Sequence, residues 1–232
     1  MKKILYGMLM GSVLLFTATS CEKEIEDLSQ ITYYVDLQLK GEKEIWMELN
    51  TPYNEPGYTA TENGVDIAEK VKVFGSVKTN EVGYYPLYYS AQNKDGFSVS
   101  DSRDVFVYDP SVVSDHSGTY SVVGTRTTSV GSDSFSDFTV TVSLVKPGFY
   151  AFSDFIGGYY SQGRGYGDDY SLSGYASINT NGVVKGLYSY VAGWGDSATS
   201  IDGTLNTDNT IDMVVYYAGM KFEYKLTNLN IN

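Results

Sequence analysis

The sequence predicts an all-β protein, and three observations lead to this fold class. Tyrosine occurs 22 times, against 10 phenylalanines and 2 tryptophans, and Tyr, Val and Thr favour pleated strands. The 24 glycines, together with Asn and Asp, supply turns. Apolar and polar residues alternate from Phe138 to Leu144 and from Met220 to Leu226, which is the period of a strand with one wet face. Beyond the N-terminal leader, only Asp66 to Lys70 is expected to form a turn of helix.

Residues 1–20 have the layout of a secretory signal peptide. Lys2 and Lys3 precede an uncharged apolar stretch from Ile4 to Phe16, and small residues follow it up to Cys21. The apolar stretch is shorter than the roughly 20 residues that a membrane-spanning helix needs. We therefore expect this segment to be removed.

Cys21 is the only cysteine of the 232 residues, so no disulfide can form within the chain. Its position after small residues resembles the lipobox of bacterial lipoproteins, in which the cysteine is acylated, for example with palmitate, and becomes the mature N-terminus. The resemblance implies lipidation at Cys21 and contact with a membrane through the lipid. The alternative is an ordinary secretory signal with a chance cysteine.

Residues 21–30 form an acidic tether, with four acids among the six residues from Glu22 to Asp27. One interpretation is a solvated spacer. The run also resembles the export signal of lipoproteins in Sus-type glycan-uptake bacteria. That resemblance implies a lipid-anchored protein of the outer membrane that faces the cell exterior.

The formal net charge is -12 at pH 7. Phosphate backbones are bound by basic surfaces, so no nucleic-acid partner is expected. Adhesion to anionic lipid headgroups is disfavoured for the same reason. The predicted acyl group is then the contact with the membrane.

Residues 31–109 are predicted to form a first β domain. The Asp95-Gly96 pair between two β-forming runs is a hairpin signal, and Trp46 is expected in the core. The order Pro56-Gly57-Tyr58, Asn63-Gly64-Val65-Asp66, Gly83-Tyr84-Tyr85 and Asp95-Gly96 resembles the bacterial surface Ig-like domain, which is also found in insecticidal crystal toxins. The resemblance implies an Ig-like β-sandwich that serves mostly as a spacer.

Residues 110–117 are predicted to be a linker, because Pro110 forces an extended conformation on the residue before it. Residues 118–232 are predicted to form an antiparallel β-sandwich or open β-barrel. The segments Ser117-Gly118-Thr119-Tyr120, Asp154 to Tyr160 and Trp194-Gly195-Asp196 are similar to C-terminal domains of uncharacterised Sus-locus lipoproteins. This similarity implies no activity.

Catalytic and metal chemistry have few candidate residues. His116 is the only histidine, so neither a transition-metal site nor a serine-type triad is expected, and it is interpreted as a solvated loop residue. A glycosidase needs two carboxylates, and the nominal candidates are Asp154, Asp168, Asp169 and Asp196. Acids in glycine-rich turns are usually turn formers, so the sequence predicts a protein that is not an enzyme and has no cofactor.

Calcium is a further candidate ligand, at Asn206, Asp208 and Asp212, where oxygen ligands alternate along a loop. The segment lacks the glycine and the final glutamate of a calcium loop. A β-turn is the simpler interpretation, and no metal site is predicted.

The segment Gly157 to Tyr170 interleaves aromatic rings with glycines. Rings offer flat faces to sugar C–H groups, and polar neighbours bond hydroxyls. The candidate ligand-binding residues are Tyr159, Tyr160, Gln162, Arg164, Tyr166, Asp168 and Tyr170, joined by Trp194. The alternative is that Tyr159 and Tyr160 are strand residues followed by a flexible hairpin.

Two functions remain open. The first is a non-enzymatic surface lipoprotein that binds glycan or assists a polysaccharide-uptake system. The second is a structural or assembly scaffold that contacts outer-membrane transport proteins. A glycan binder needs Trp194 and its tyrosine neighbours exposed and coplanar, whereas a scaffold buries them or uses a broad patch.

Overall fold

The computed structural model describes residues 31–229, so the predicted signal peptide, Cys21 and the acidic tether lie outside the described residues. The model confirms the predicted all-β class. Its strands are β1 (Val35–Leu39), β2 (Glu44–Glu48), β3 (Tyr58–Glu62), β4 (Val65–Asp66), β5 (Lys72–Phe74), β6 (Gly83–Gln92), β7 (Ser98–Tyr108), β8 (Gly118–Thr128), β9 (Gly131–Lys146), β10 (Phe149–Phe152), β11 (Ser173–Ile178), β12 (Val183–Tyr190), β13 (Ser200–Leu205), β14 (Ile211–Tyr217) and β15 (Met220–Asn228). Over residues 31–229, no helix combines the length and hydrophobicity required to cross a bilayer.

The first seven strands form a sandwich of two sheets. One sheet has the order β1-β3-β4 and the other β2-β7-β6-β5, with β2 parallel to β7. The predicted hairpin joins β6 to β7, and Gly96 takes a φ of 90° that suits glycine. The interior is apolar and comprises Val35, Met47, Ala60, Ile67, Leu87, Tyr89, Ala91, Val105 and Val107.

One charged side chain, that of Arg103 on β7, is fully buried in the sandwich. Its guanidinium lies 3.1 Å from the Glu55 carboxylate and donates to the carbonyls of Glu42, Lys40 and Gly57. A buried cation is tolerated when its charge is paired and its N–H groups find acceptors, as both terminal nitrogens of Arg103 do. Arg103 therefore ties the segments that precede β2 and β3 to β7.

The last eight strands form a closed barrel in the order β10-β11-β12-β13-β14-β15-β8-β9. The sequence predicted an antiparallel sandwich or an open barrel, and the structure shows a closed barrel. The 16-residue β9 explains the closure, because it pairs with β8 over Gly131–Val142 and with β10 over Val142–Lys146. Closure leaves no unpaired edge at this junction.

Alternating residues fill the barrel interior. On β15, Phe222, Tyr224 and Leu226 are buried whereas Glu223 and Lys225 are exposed, as their alternation predicts. On β9 the alternation fails at its end: Leu144 is 39% exposed, next to a register shift between β9 and β10. The pattern therefore located the inner face better in the middle of a strand than at its end.

An aromatic junction joins the sandwich to the barrel. The Trp46 ring stacks on Phe106 at 4.3 Å and meets Phe149 of the barrel edge-on at 4.9 Å. The expectation that Trp46 lies in the sandwich core is therefore wrong. Strand alternation is the reason, because Met47 takes the inward position on β2 and Trp46 points to the opposite face.

The predicted linker is attached to the barrel rather than solvated throughout. Val112 is buried, and the hydroxyl of Tyr150 donates to the Ser114 carbonyl at 2.7 Å. His116 is half-buried, not solvated as expected: its ring lies 6.1 Å from that of Tyr150, and burial lowers its pKa. The hydroxyl of Tyr120 donates to the His116 carbonyl at 2.7 Å, which fixes the start of β8.

Candidate functional site

Two long loops cover one end of the barrel. Residues 153–172 connect β10 to β11, and residues 191–199 connect β12 to β13. Because the strands are antiparallel neighbours, both loops emerge at the same end as the short β14–β15 turn. The two loops are tied together where the Gly193 amide donates to the Asp169 carbonyl at 2.7 Å.

The first loop contains short helical turns instead of the predicted strand and hairpin. A π-helical turn spans Tyr159–Gly163, and a 3-10 turn spans Asp168–Tyr170. Gly157 and Gly158 precede the first turn with φ of 66° and 79°. Any Cβ at these two positions would lie within 3 Å of neighbouring side chains, so only glycine allows the loop to fold against the barrel wall.

Asp154 holds this loop from below. Its carboxylate is buried and accepts the backbone N–H groups of Ile156 at 2.9 Å and Leu172 at 3.3 Å. The Ser161 hydroxyl donates to its second oxygen at 2.9 Å. Burial raises the pKa of Asp154 from 3.8 to about 6. All of these partners belong to the loop itself, so the carboxyl group joins the two ends of the loop.

Trp194 lies at the centre of a ring cluster formed by both loops. Its ring centroid is 4.9 Å from those of Tyr160 and Tyr170 and 6.3 Å from that of Tyr166. The planes of Tyr160 and Tyr166 are 87° from the indole plane. The cluster is therefore not the coplanar platform expected of a glycan binder, yet Trp194 is 42% exposed and Tyr166 54% exposed.

Tyr217, at the end of β14, belongs to this cluster and was not among the predicted site residues. Its ring is inclined only 26° to that of Trp194, at 6.2 Å. Its hydroxyl donates to the Asp196 carboxylate at 2.7 Å, and burial together with this bond raises the pKa of Tyr217. Alternation along β14 marks Tyr217 as inward-facing, but its contact with the distant loop has no local signal.

Gly193 fixes the approach of the second loop. A Cβ at this position would lie 2.7 Å from the Tyr170 ring, closer than real Cβ contacts. Glycine thus lets the backbone beside Trp194 rest directly on an aromatic face. The indole is held by neighbours on both loops and on β14, so its orientation is set before any ligand arrives.

Three predicted site residues lie on the other side of the loop. Gln162 uses its side-chain amide to bond the backbone of Thr139, donating at 2.7 Å and accepting at 3.0 Å. Arg164 donates to the Tyr159 hydroxyl at 2.6 Å, and Tyr159 is buried against the barrel. These groups attach the loop to β9 and do not face Trp194. Asp168 is exposed at the start of the 3-10 turn.

The residues considered as calcium ligands form a β-turn, which was the simpler interpretation of their sequence. The Asn206 amide donates to Thr210 and to the Asp212 carboxylate, both at 2.9 Å. Asp208 accepts the backbone amide of Thr210 at 3.1 Å. The Lys225 ammonium lies 3.3 Å from Asp212. These oxygens are thus engaged with protein donors around the turn.

Comparison with known proteins places both domains. A model described as a "-like, C-terminal domain" matches residues 109–228, and the model of the bacterial surface protein Ig-like domain matches residues 37–107. No curated protein matches the chain.

Two solved structures are similar. The lipoprotein BT2262 from Bacteroides thetaiotaomicron has 37% identity, with 84% of this chain and 100% of that chain covered and a TM-score of 0.47. A structure of CBM51-2 in complex with GlcNAc and INT domains from Clostridium perfringens ZmpB has 12% identity, with 85% of this chain and 44% of that chain covered and a TM-score of 0.29. The bacterial surface Ig-like domain indicates a cell-surface location. The chain belongs to the family described by the C-terminal domain model, which covers more than half of its length.

Proposed function

We propose that this protein binds glycans at the cell surface, without catalysis, as an accessory to polysaccharide uptake. The observation that carries the proposal is the ring cluster around Trp194 at the loop-covered end of the barrel. An exposed indole offers a flat apolar face to sugar C–H groups, and polar groups at its border orient the ligand.

The arrangement of the cluster supports binding more than structural packing alone. Tyr217 is buried beneath the cluster, whereas Trp194 and Tyr166 keep about half of their surface in solvent. A large apolar ring left exposed yet rigidly held is typical of a recognition surface. Because little conformational freedom remains to be lost, the free energy cost of ordering the site on binding is small.

The carboxylates near the site support a role without catalysis. Asp154 is buried beneath its own loop, and Asp196 accepts the Tyr217 hydroxyl. Asp168 and Asp169 are exposed on the 3-10 turn that ends at Tyr170. A glycosidase instead needs two carboxyl groups that face one another across the scissile bond.

The membrane attachment in this proposal is a lipid on Cys21, with the acidic tether directing the protein to the outer face of the outer membrane. The aromatic junction at Trp46 fixes the sandwich to the barrel. The sandwich then acts as a stalk that carries the ring cluster away from the membrane.

A glycan array probed with the soluble fragment from Glu22 onward, which lacks the lipidated Cys21, tests the binding proposal. We expect binding to at least one polysaccharide, and Trp194→Ala should abolish it. Phe97→Ala is the matched control, since Phe97 is 52% exposed but lies beside the β6–β7 hairpin. Absence of binding, or binding unchanged by Trp194→Ala, would contradict the proposal and favour a scaffold that contacts transport proteins.

A further inference from the structure

A series of exposed rings continues from the Trp194 cluster to the sandwich. We name it the aromatic track. Each member is between 38% and 55% exposed. Its members are Tyr166 and Trp194 at the barrel end, Tyr190 and Tyr188 on β12, and Tyr88 and Phe74 on the sandwich.

On the barrel, the track follows one strand. Tyr188 and Tyr190 are exposed whereas Ser189 between them is buried, so the two rings share the outer face about 7 Å apart. The Tyr190 hydroxyl lies 3.7 Å from where a Cβ on Gly195 would stand. Tyr190 therefore reaches the turn that carries Trp194.

The track crosses to the sandwich through Tyr84. The rings of Tyr84 and Tyr188 are 5.1 Å apart. Tyr84 and Tyr88 share one face of β6, about 13 Å apart, and Tyr88 stands opposite Phe74 on β5. Burial raises the pKa of Tyr188, and the nearby Asp104 carboxylate adds to the effect.

A cleft lies at the middle of the track. The β12–β13 ladder covers only Val183–Lys185 of β12, although β12 continues to Tyr190. Beyond that point the strands separate around a cleft of about 320 Å³, lined by Tyr84 and by residues 186–189 and 197–201. Backbone groups and serine hydroxyls line this space, so it offers hydrogen-bond partners beside the rings.

The charges beside the track indicate a ligand without negative charge. Asp104 accepts the Tyr84 hydroxyl at 2.8 Å, and Glu44 pairs with Asp104 in the strand register. The Lys185 ammonium is 2.7 Å from the Asp202 carboxylate. Lys72 stands on β5 beyond Tyr88, at the far end of the track. A chain bearing carboxylates or sulfates would meet repulsion at the centre.

We infer that the aromatic track binds one extended, neutral glycan chain that runs from Trp194 along β12 and across the cleft to Tyr88. This inference rests on the proposed glycan-binding function and specifies its substrate class. Successive exposed rings on neighbouring strands can contact several sugar units within a chain, whereas a single ring cluster fits a chain end. The rigid junction at Trp46 keeps the two halves of the track aligned.

Titration calorimetry tests the inference with the full chain solubilised in detergent. The probes are neutral gluco-, manno- and xylo-oligosaccharides from disaccharide to octasaccharide. We expect affinity to rise with length in the series that binds. Trp194→Ala should weaken every length, whereas Tyr88→Ala should weaken only the long members, by about tenfold. Phe74→Ala repeats the test from the neighbouring strand, and Phe97→Ala is the exposed control.

The outcomes separate the two proposals. If affinity is constant from disaccharide to octasaccharide and Tyr88→Ala and Phe74→Ala change nothing, the extended track is wrong, while the loss with Trp194→Ala keeps the proposed function. If no neutral series binds, the inference of a neutral glycan chain is overturned, and the glycan array separately decides the proposed function. If sedimentation instead shows self-association that Tyr88→Ala abolishes without an effect on oligosaccharides, the track is an interface between copies of the chain.

Discussion

The buried carboxyl group of Asp154 should make the folded protein less stable as the pH rises. Its pKa is raised by burial from 3.8 to about 6 in the folded state. Between these two values the unfolded chain is ionised at this position while the folded chain is still protonated. The folded state then binds more protons, so the free energy of unfolding falls with increasing pH and levels off above about pH 6.

The size of the effect follows from the shift. At about 1.36 kcal/mol per pKa unit, the full displacement amounts to roughly 3 kcal/mol, of which about 2.4 kcal/mol falls between pH 4 and pH 7. Asp154→Asn removes the titration and keeps the shape, because the amide oxygen can accept the Ile156 and Leu172 N–H groups. The Ser161 hydroxyl can turn to accept from the amide nitrogen.

Urea unfolding of wild type and Asp154→Asn, measured at intervals from pH 4 to pH 7.5, isolates this group. The free energy of unfolding of the variant should rise relative to that of wild type by about 2.4 kcal/mol across the window. Ser161→Ala removes a donor to the ionised Asp154 carboxylate, so the free energy of unfolding of this variant should keep falling to a higher pH than that of wild type. The reasoning would be refuted if the free energies of unfolding of wild type and Asp154→Asn changed in parallel with pH, or if that of the variant fell relative to wild type as the pH rose.

Two further predictions follow from contacts of Arg103 and Tyr217, and a third follows from the predicted lipidation of Cys21. Arg103→Leu should lower the free energy of unfolding by about 3 kcal/mol, because the carbonyls around the buried guanidinium and the carboxylate of Glu55 lose their partner; urea unfolding checks this, and Arg103→Lys should lose less. Tyr217→Phe should lower the free energy of unfolding by about 1.5 kcal/mol, because it removes the hydrogen bond to Asp196, and should weaken glycan binding on the array. An unchanged melting temperature and an unchanged array signal would contradict this prediction. Cys21→Ser should abolish incorporation of labelled palmitate and move the protein from the membrane fraction to the soluble one, and retention in the membrane would argue against the lipid anchor.

Local sequence patterns predicted much of the fold. The alternation from Phe222 to Leu226 identified the inner face of β15, and Asp95-Gly96 identified the β6–β7 hairpin, because both depend on residues that are close in sequence. The signal peptide and Cys21 are likewise read from adjacent residues. They remain predictions, since they lie outside the described residues.

The candidate site was predicted only in part. Glycine and tyrosine content marked Tyr160, Tyr166 and Tyr170, and Trp194 was noted for its flanking glycines. The same composition also marked Gln162 and Arg164, whose bonds to Thr139 and Tyr159 fix the loop instead. Side chains of one loop can point to opposite sides, and composition does not distinguish them.

Only the tertiary structure decided what lies far apart in sequence. Barrel closure depends on β9 meeting both β8 and β10, and the place of Trp46 depends on barrel residues about 100 positions away. Tyr217 joins Trp194 because β14 ends beneath the β12–β13 loop. The sequence by itself determined the strand period and the turns, and it predicts the location at the cell surface. Pairing of strands and contact of rings across them required the folded chain, because nonlocal contacts leave no periodic signal.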